Sequence, residues 1–137
     1  SADAAMLYES GVKASFKFYE KYAENYSSYV GESDAVNYLS KPINNFSMAT
    51  TEEEQFQLII MQKYLQSFFQ LGWTSFFDHL RTGGYPSFRR PAGVEIPYRW
   101  IYPQSEYNYN ASNVTNAISR QFGEGNDHIN EMTWWLK

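Results

Sequence analysis

Two histidines, His79 and His128, are the only imidazoles in the 137 residues, and there is no cysteine. A cysteine nucleophile, a thiolate metal site and a disulfide framework are therefore excluded. Asp78-His79-Leu80-Arg81 packs an acid, an imidazole and a guanidinium into four positions. Adjacent residues on a helix point along different faces, so Asp78 and His79 do not orient one another there. No strand-to-helix nucleophile elbow accompanies them. His79 reads as a boundary residue beside Arg81. His128, in Gly-rich surroundings, reads as an exposed one.

Glycosidic cleavage would need two carboxyl groups facing each other across a cleft. Glu52, Glu53 and Glu54 follow Thr51 directly and are better explained as first-turn charges of a helix. Glu95 and Glu106 are the remaining candidates, and the expectation is that they form no such pair. Asp127, with Asn126 and Asn130, lacks the alternating oxygen ligands and twelfth-position Glu of a calcium loop. No metal, no cofactor and no enzymatic activity are expected. Arg81, Arg89, Arg90 and Arg99 form a local positive cluster with Glu95. It could hold an anion, and the simpler reading pairs it with carboxylates elsewhere in a larger protein. Asn-x-Ser/Thr triplets begin at Asn25, Asn45, Asn110 and Asn113, a weak signal for glycosylation.

Aromatic residues make up 19% of the chain. Most such rings serve a core. Tyr and Trp also combine an apolar face with a polar edge, which suits stacking on flat or ring-shaped ligands such as sugars. Eleven basic residues against fifteen acidic ones give a net charge of −4. Nucleic acid is a poor candidate partner, because phosphate binding leans on a basic surface. No apolar run is long enough for a membrane-spanning helix.

The elements that must position these residues are mostly helical. Tyr8, Val12, Phe16 and Tyr19 recur at helical spacing, predicting a helix over 3–29 with Asp3 at its start. A short helix is expected over 34–40, capped by Asp34 and ended before Pro42. Residues 41–50 read as a loop. Thr51 with Glu54 has capping-box spacing, and the apolar face Phe56, Ile59, Ile60, Tyr64, Phe68 and Leu71 predicts a helix over 51–70 that Gly72 breaks. Trp73 to Leu80 continues the period until Gly83, Gly84 and Pro86 stop it. Residues 84–111 show no helical period, with an extended piece expected over 96–102. Asn110 or Ser112 should cap a last helix through Ser119 or Phe122, ended by Gly123.

Several of these stretches share one resemblance. Ile60-Met61-Gln62-Lys63-Tyr64 followed by Arg81-Thr82-Gly83-Gly84-Tyr85-Pro86 is similar to a paired signature of the SusD/RagB family. Ile96-Pro97-Tyr98-Arg99, Tyr102-Pro103-Gln104-Ser105-Glu106-Tyr107-Asn108, Asn113-Val114 and Thr133-Trp134-Trp135 follow in the family's order. Upstream, Leu7-Tyr8-Glu9-Ser10-Gly11-Val12 and Ala14-Ser15-Phe16 also fit. Leu80, the extra Gly84, Tyr98 and Leu136 depart from the pattern, as in a divergent member.

The resemblance implies a mainly α fold: the irregular helical C-terminal part of a SusD-like protein, with long loops and at most a short β-hairpin. It implies that residues 1–137 belong to a longer protein whose N-terminal part completes the fold. Such proteins sit on the cell surface of Bacteroidetes, anchored in the outer membrane by a lipidated N-terminal Cys outside this sequence. In bacteria the Asn-x-Ser/Thr triplet is usually inert. Family members cap a SusC-type TonB-dependent transporter and hand it oligosaccharide or, as RagB-like proteins, peptide. A purely structural role for this segment is the remaining alternative. No family ligand residue carries over by motif. On their position in the irregular stretch, Trp100, Tyr102, Tyr107 and Tyr109 are the candidate ligand-binding residues.

Two further features suggest a fold completed by residues outside this sequence. The stretch 84–111 has little regular structure to offset its ordering entropy of about 1–2 kcal/mol per residue. Tyr8, Phe16, Phe18, Tyr19, Tyr22 and Tyr26 point to more than one side of one helix, so an exposed apolar patch is expected.

Overall fold

A computed structural model of the chain describes residues 2–23, 30–68 and 70–137. They form six α-helices with three short 3₁₀ turns, and no strand occurs among the described residues. The mainly α class expected from the resemblance is the one observed. The chain divides into two compact units, 1–79 and 80–137.

In the first unit, α1 (Ala2–Tyr22) carries Tyr8 and Val12 one turn apart on its buried face. They meet Phe46 from the segment after α2 (Glu32–Ser40), with Phe16, Tyr38, Leu39 and Leu58 packed around them. The Tyr8 and Phe46 ring centroids are 5.2 Å apart. The Tyr8 hydroxyl donates to the Asn44 carbonyl at 2.9 Å, so this buried phenol has its partner. Burial pushes Tyr8 up to about 12, and the neighbouring Tyr38 adds to the effect.

The early part of the unit differs from what the sequence predicts. The first helix ends at Tyr22, and the rest of the predicted span to 29 lies largely outside the described residues. Asp34 is not the cap residue of α2. Gly31 holds that position, and Asp34 reaches back from the first turn to accept the Gly31 N–H at 2.9 Å. Residues 41–50 are not a plain loop. Pro42–Asn44 and Phe46–Met48 each close a 3₁₀ turn, and the Asn45 carboxamide oxygen accepts from the Ser47 N–H at 3.0 Å.

The capping box at Thr51 forms as predicted. Thr51 Oγ1 accepts from the Glu54 N–H, and the Glu54 carboxylate accepts from the Thr51 N–H, at 3.2 and 3.1 Å. The helix that follows, α3 (Glu52–Ser67), stops five residues before Gly72. Phe68 turns extended there, at φ −59° and ψ 123°. Ser67 ties the end to α4 (Thr74–Arg81), its hydroxyl lying 2.6 Å from that of Ser75. The predicted apolar face of α3 is only partly buried: Ile60 is enclosed, whereas Ile59, Phe68 and Leu71 are exposed.

In the second unit, Leu80, Val114 and Ile118 are buried. Full burial of aliphatic side chains of this size stabilises by about 1.5–3 kcal/mol each. A turn after α4 carries the extra Gly84 at φ 134°, where a side chain is strained. Thr82 pins that turn, its hydroxyl donating to the Tyr85 carbonyl at 2.7 Å and accepting the Tyr85 N–H at 2.9 Å. The stretch 84–111 contains a helix that sequence periodicity did not reveal, α5 (Gln104–Tyr109). Six residues are too short to show a period, and Pro103 in extended geometry starts it. The last helix, α6 (Ala111–Phe122), takes Asn110 as its cap residue and ends at Gly123, φ 100°.

Candidate functional site

The four aromatic residues predicted to meet ligand divide into two pairs. Tyr102 and Tyr107 are half-buried and converge on one carboxylate, that of Asp127. Trp100 and Tyr109 expose 61% and 89% of their surface. The chain direction explains the division. Arg99 is drawn inward by Asp127, whereas Trp100 and Ile101 after it are both exposed. On α5, Tyr107 and Tyr109 are two positions apart, which puts them on different faces.

Asp127 is the centre of the inward set. It sits in the turn after α6, where its N–H donates to the Gly125 carbonyl at 3.1 Å. Its Oδ1 accepts from Arg99 Nη1 at 2.6 Å. Its Oδ2 accepts the Tyr107 hydroxyl at 2.6 Å and the Tyr102 N–H at 3.0 Å. The Arg99 and Asp127 side chains keep only 9% and 10% exposure. The guanidinium lies over the Phe122 ring at 4.3 Å and the Tyr102 ring at 5.5 Å, and also donates to the His128 carbonyl at 3.2 Å. The Tyr98 and Arg99 N–H groups both donate to the Ile129 carbonyl, fixing the extended segment.

The electrostatics follow from these contacts. Burial is the largest influence on Asp127 and raises it. The hydrogen bonds from Tyr107, Arg99 and the Tyr102 N–H, with the charge of Arg99, outweigh burial and hold the carboxyl below the usual range. Donation to that carboxylate, then burial and the carboxylate's charge, push the Tyr107 phenol up. The arrangement is a clamp: both carboxylate oxygens of Asp127 accept from neighbouring donors.

Among the described residues, other chemistry-bearing side chains make pairwise or local contacts. Asp78 is buried and pairs with Lys63 of α3 at 2.7 Å. Glu106 accepts from Asn110, the residue just past the end of its helix, at 3.1 Å, and Glu95 is exposed. His128 is exposed as expected and His79 is half-buried. Arg99 leaves the predicted arginine cluster for Asp127. Three of the Asn-x-Ser/Thr asparagines serve local structure: Asn45 holds Ser47, and Asn110 accepts from Asn113 at 2.7 Å. No group of acidic or imidazole side chains among the described residues could hold a metal. No helix among them is long and apolar enough to cross a membrane.

The sequence reading missed the role of Asp127. The signal in the sequence was one-sided: Arg99 stands in the family-like stretch 96–99, and a cation there calls for a carboxylate partner without naming it.

A concave feature lies within the first unit. A groove of about 690 Å³ runs between α1, α2 and α3, lined by Leu7, Gly11, Phe16, Tyr38, Ile59 and Leu65 among others. Its lining is mostly apolar, and its main polar pair is internally satisfied, Gln62 Nε2 donating to the Tyr38 hydroxyl at 3.0 Å.

The described residues are mainly helical, with an irregular second unit. The family described as SusD-like, starch-binding and associating with the outer membrane matches residues 1–103. The chain belongs to this SusD-like family. A solved SusD homologue from Bacteroides fragilis is 56% identical, with a TM-score of 0.88 over 95% of this chain. An outer-membrane protein from Bacteroides vulgatus, whose description associates it with nutrient binding, is 47% identical, with a TM-score of 0.88 over 97%. A second Bacteroides fragilis SusD homologue is 30% identical, with a TM-score of 0.78 over 97%. The chain spans 29%, 29% and 30% of these three proteins. The curated proteins contain no match to it.

Proposed function

We propose that this chain is the C-terminal region of a cell-surface, lipid-anchored protein of the outer membrane that captures oligosaccharide. It delivers that ligand to a SusC-type TonB-dependent transporter. The observation that carries the reading is the match over residues 1–103 to a family described as starch-binding and associating with the outer membrane. The activity is binding, and no bond in the ligand is broken.

In this reading Trp100 and Tyr109 supply exposed ring faces for the apolar side of a sugar. Tyr102 and Tyr107 form the supporting edge that Asp127 holds in place. A few fixed polar groups beside such faces would set ligand orientation.

The test uses the full-length protein on a glycan array, followed by calorimetry with the best oligosaccharide. Binding should weaken by up to about tenfold in Trp100→Ala and in Tyr109→Ala, the scale of one lost ring contact. Binding of peptides alone would overturn the sugar reading. Unchanged affinity in both variants would place the ligand contacts outside these residues. Co-purification with the transporter from native membranes tests the delivery step.

A further inference from the structure

Seven consecutive residues of the second unit, Arg89-Arg90-Pro91-Ala92-Gly93-Val94-Glu95, are all exposed. We propose that this loop is a cleavage site for an arginine-specific endoprotease, and that the folded chain is cut there between Arg89 and Arg90. This inference does not depend on what the parent protein binds.

The first argument is access to the backbone. A protease takes several residues of its substrate in extended form, so a helix must open locally before it is cut. No helix has to open here, since none spans 82–103. Across 89–95 one backbone hydrogen bond occurs among the described residues, from the Val94 N–H to the Pro91 carbonyl at 3.2 Å. Both ends of the loop are fixed. Thr82 pins the turn before it, and the Tyr98 and Arg99 N–H groups meet the Ile129 carbonyl after it. An exposed segment between fixed ends is a preferred place for a single nick in a native protein.

The second argument is the side chain. Neither Arg89 nor Arg90 has an ion-pair partner among the described residues, and Glu95 does not pair with them. A guanidinium free of partners is available to the carboxylate in the specificity pocket of a trypsin-type enzyme.

The third argument is elimination among the eleven basic residues. Six lie within helices, three on α1 and one each on α3, α4 and α6. Lys41 and Arg90 each precede a proline, whose ring removes the N–H and crowds the bond to be cut. Arg99 is held by Asp127, and Lys137 closes the sequence. Arg89 remains: exposed, outside any helix, and followed by a residue that keeps its N–H. In the cut the C–N bond between Arg89 and Arg90 breaks. The oxygen of one water bonds to the Arg89 carbonyl carbon, and both its protons pass to the Arg90 nitrogen. Arg89 then ends in a carboxylate, and Arg90 begins a new segment as an ammonium terminus.

The test treats the folded full-length protein with a low ratio of trypsin and reads new termini by mass spectrometry. The first cut within these 137 residues should expose Arg90-Pro91-Ala92-Gly93 as a new N-terminus. Arg89→Gln should slow that cut at least about tenfold, and Arg90→Gln should leave it in place. A lysine-specific protease should spare the loop, and Arg89→Lys should transfer the cut to that enzyme. This gain of cleavage is a readout that a misfolded Arg89→Gln variant cannot confuse, provided the Arg89→Lys protein keeps its thermal melt. A first cut elsewhere in these residues would overturn the proposal. So would resistance at Arg89 under conditions where the urea-unfolded protein is cut there, because the rest of the polypeptide would then cover the loop.

Discussion

Arg99 and Asp127 stand 28 residues apart in the chain, and their side chains meet at 2.6 Å with almost no access to solvent. The pair joins the extended segment before α5 to the turn after α6. Two aromatic rings cover the guanidinium, and two tyrosines engage the carboxylate through a hydroxyl and a backbone N–H. A close-range, nearly buried ion pair of this kind is costly to break from one side, because the remaining charge stays behind without a partner.

Asp127→Ala should therefore destabilise the chain by about 3 kcal/mol in chemical denaturation. The double variant Arg99→Met with Asp127→Leu should lose less than the sum of the two single losses. Additive losses would show that the two side chains act independently.

The same carboxylate sets an acid limit. Its folded-state pKa is depressed, so its contribution is fully present above the unfolded carboxylate value and is lost as pH falls through the folded one. Stability measured from pH 6 downward should begin to fall near about pH 4. Asp127→Asn should be less stable at pH 6, with a shallower decline below pH 4. An unchanged acid limb in this variant would assign the transition to other carboxylates.

An alkaline limit has the opposite sign. Tyr8 is raised to about 12 in the folded chain, chiefly by burial. Its contribution is intact below about pH 10, where the unfolded phenol ionises, and is lost as pH rises toward 12. Tyr8→Phe should flatten the stability profile across that window. It should also lose the hydrogen bond to Asn44, at a cost of about 1 kcal/mol at neutral pH.

The start of α3 gives a local test. Thr51→Ala should cost about 1 kcal/mol through the lost cap. Thr51→Ser, which keeps the acceptor, should restore most of it. Equal losses in the two variants would mean that the methyl group, and not the hydroxyl, matters.

Gly84→Ala should destabilise by about 1–2 kcal/mol, because its backbone sits at φ 134°. Gly11→Ala in the 137-residue chain should instead stabilise by about 0.5–1 kcal/mol, since its added methyl meets nothing within 4 Å. Thermal melts of the two variants should shift in opposite directions.

What the sequence by itself determined is what local chemistry specifies. Thr51 and Glu54 announce the start of α3, because both halves of the capping box lie within one turn. Tyr8 and Val12 mark the buried face of α1 through their four-residue spacing. Gly123 ends α6 because its φ of 100° suits a residue without a side chain. The order of short motifs from Leu7 to Trp135 pointed to the SusD-like family, because each motif is local and survives divergence elsewhere. Tertiary structure alone decided the rest. Periodicity did not show that Ser67 would end α3, since the Ser67–Ser75 contact links two helices. It did not show that Tyr102 and Tyr107 turn inward while Trp100 and Tyr109 remain exposed. That division depends on Asp127, which lies 20 positions beyond Tyr107 and 25 beyond Tyr102. A carboxylate's partners at that separation are set by how the backbone returns in space, and no spacing rule along the chain encodes that return.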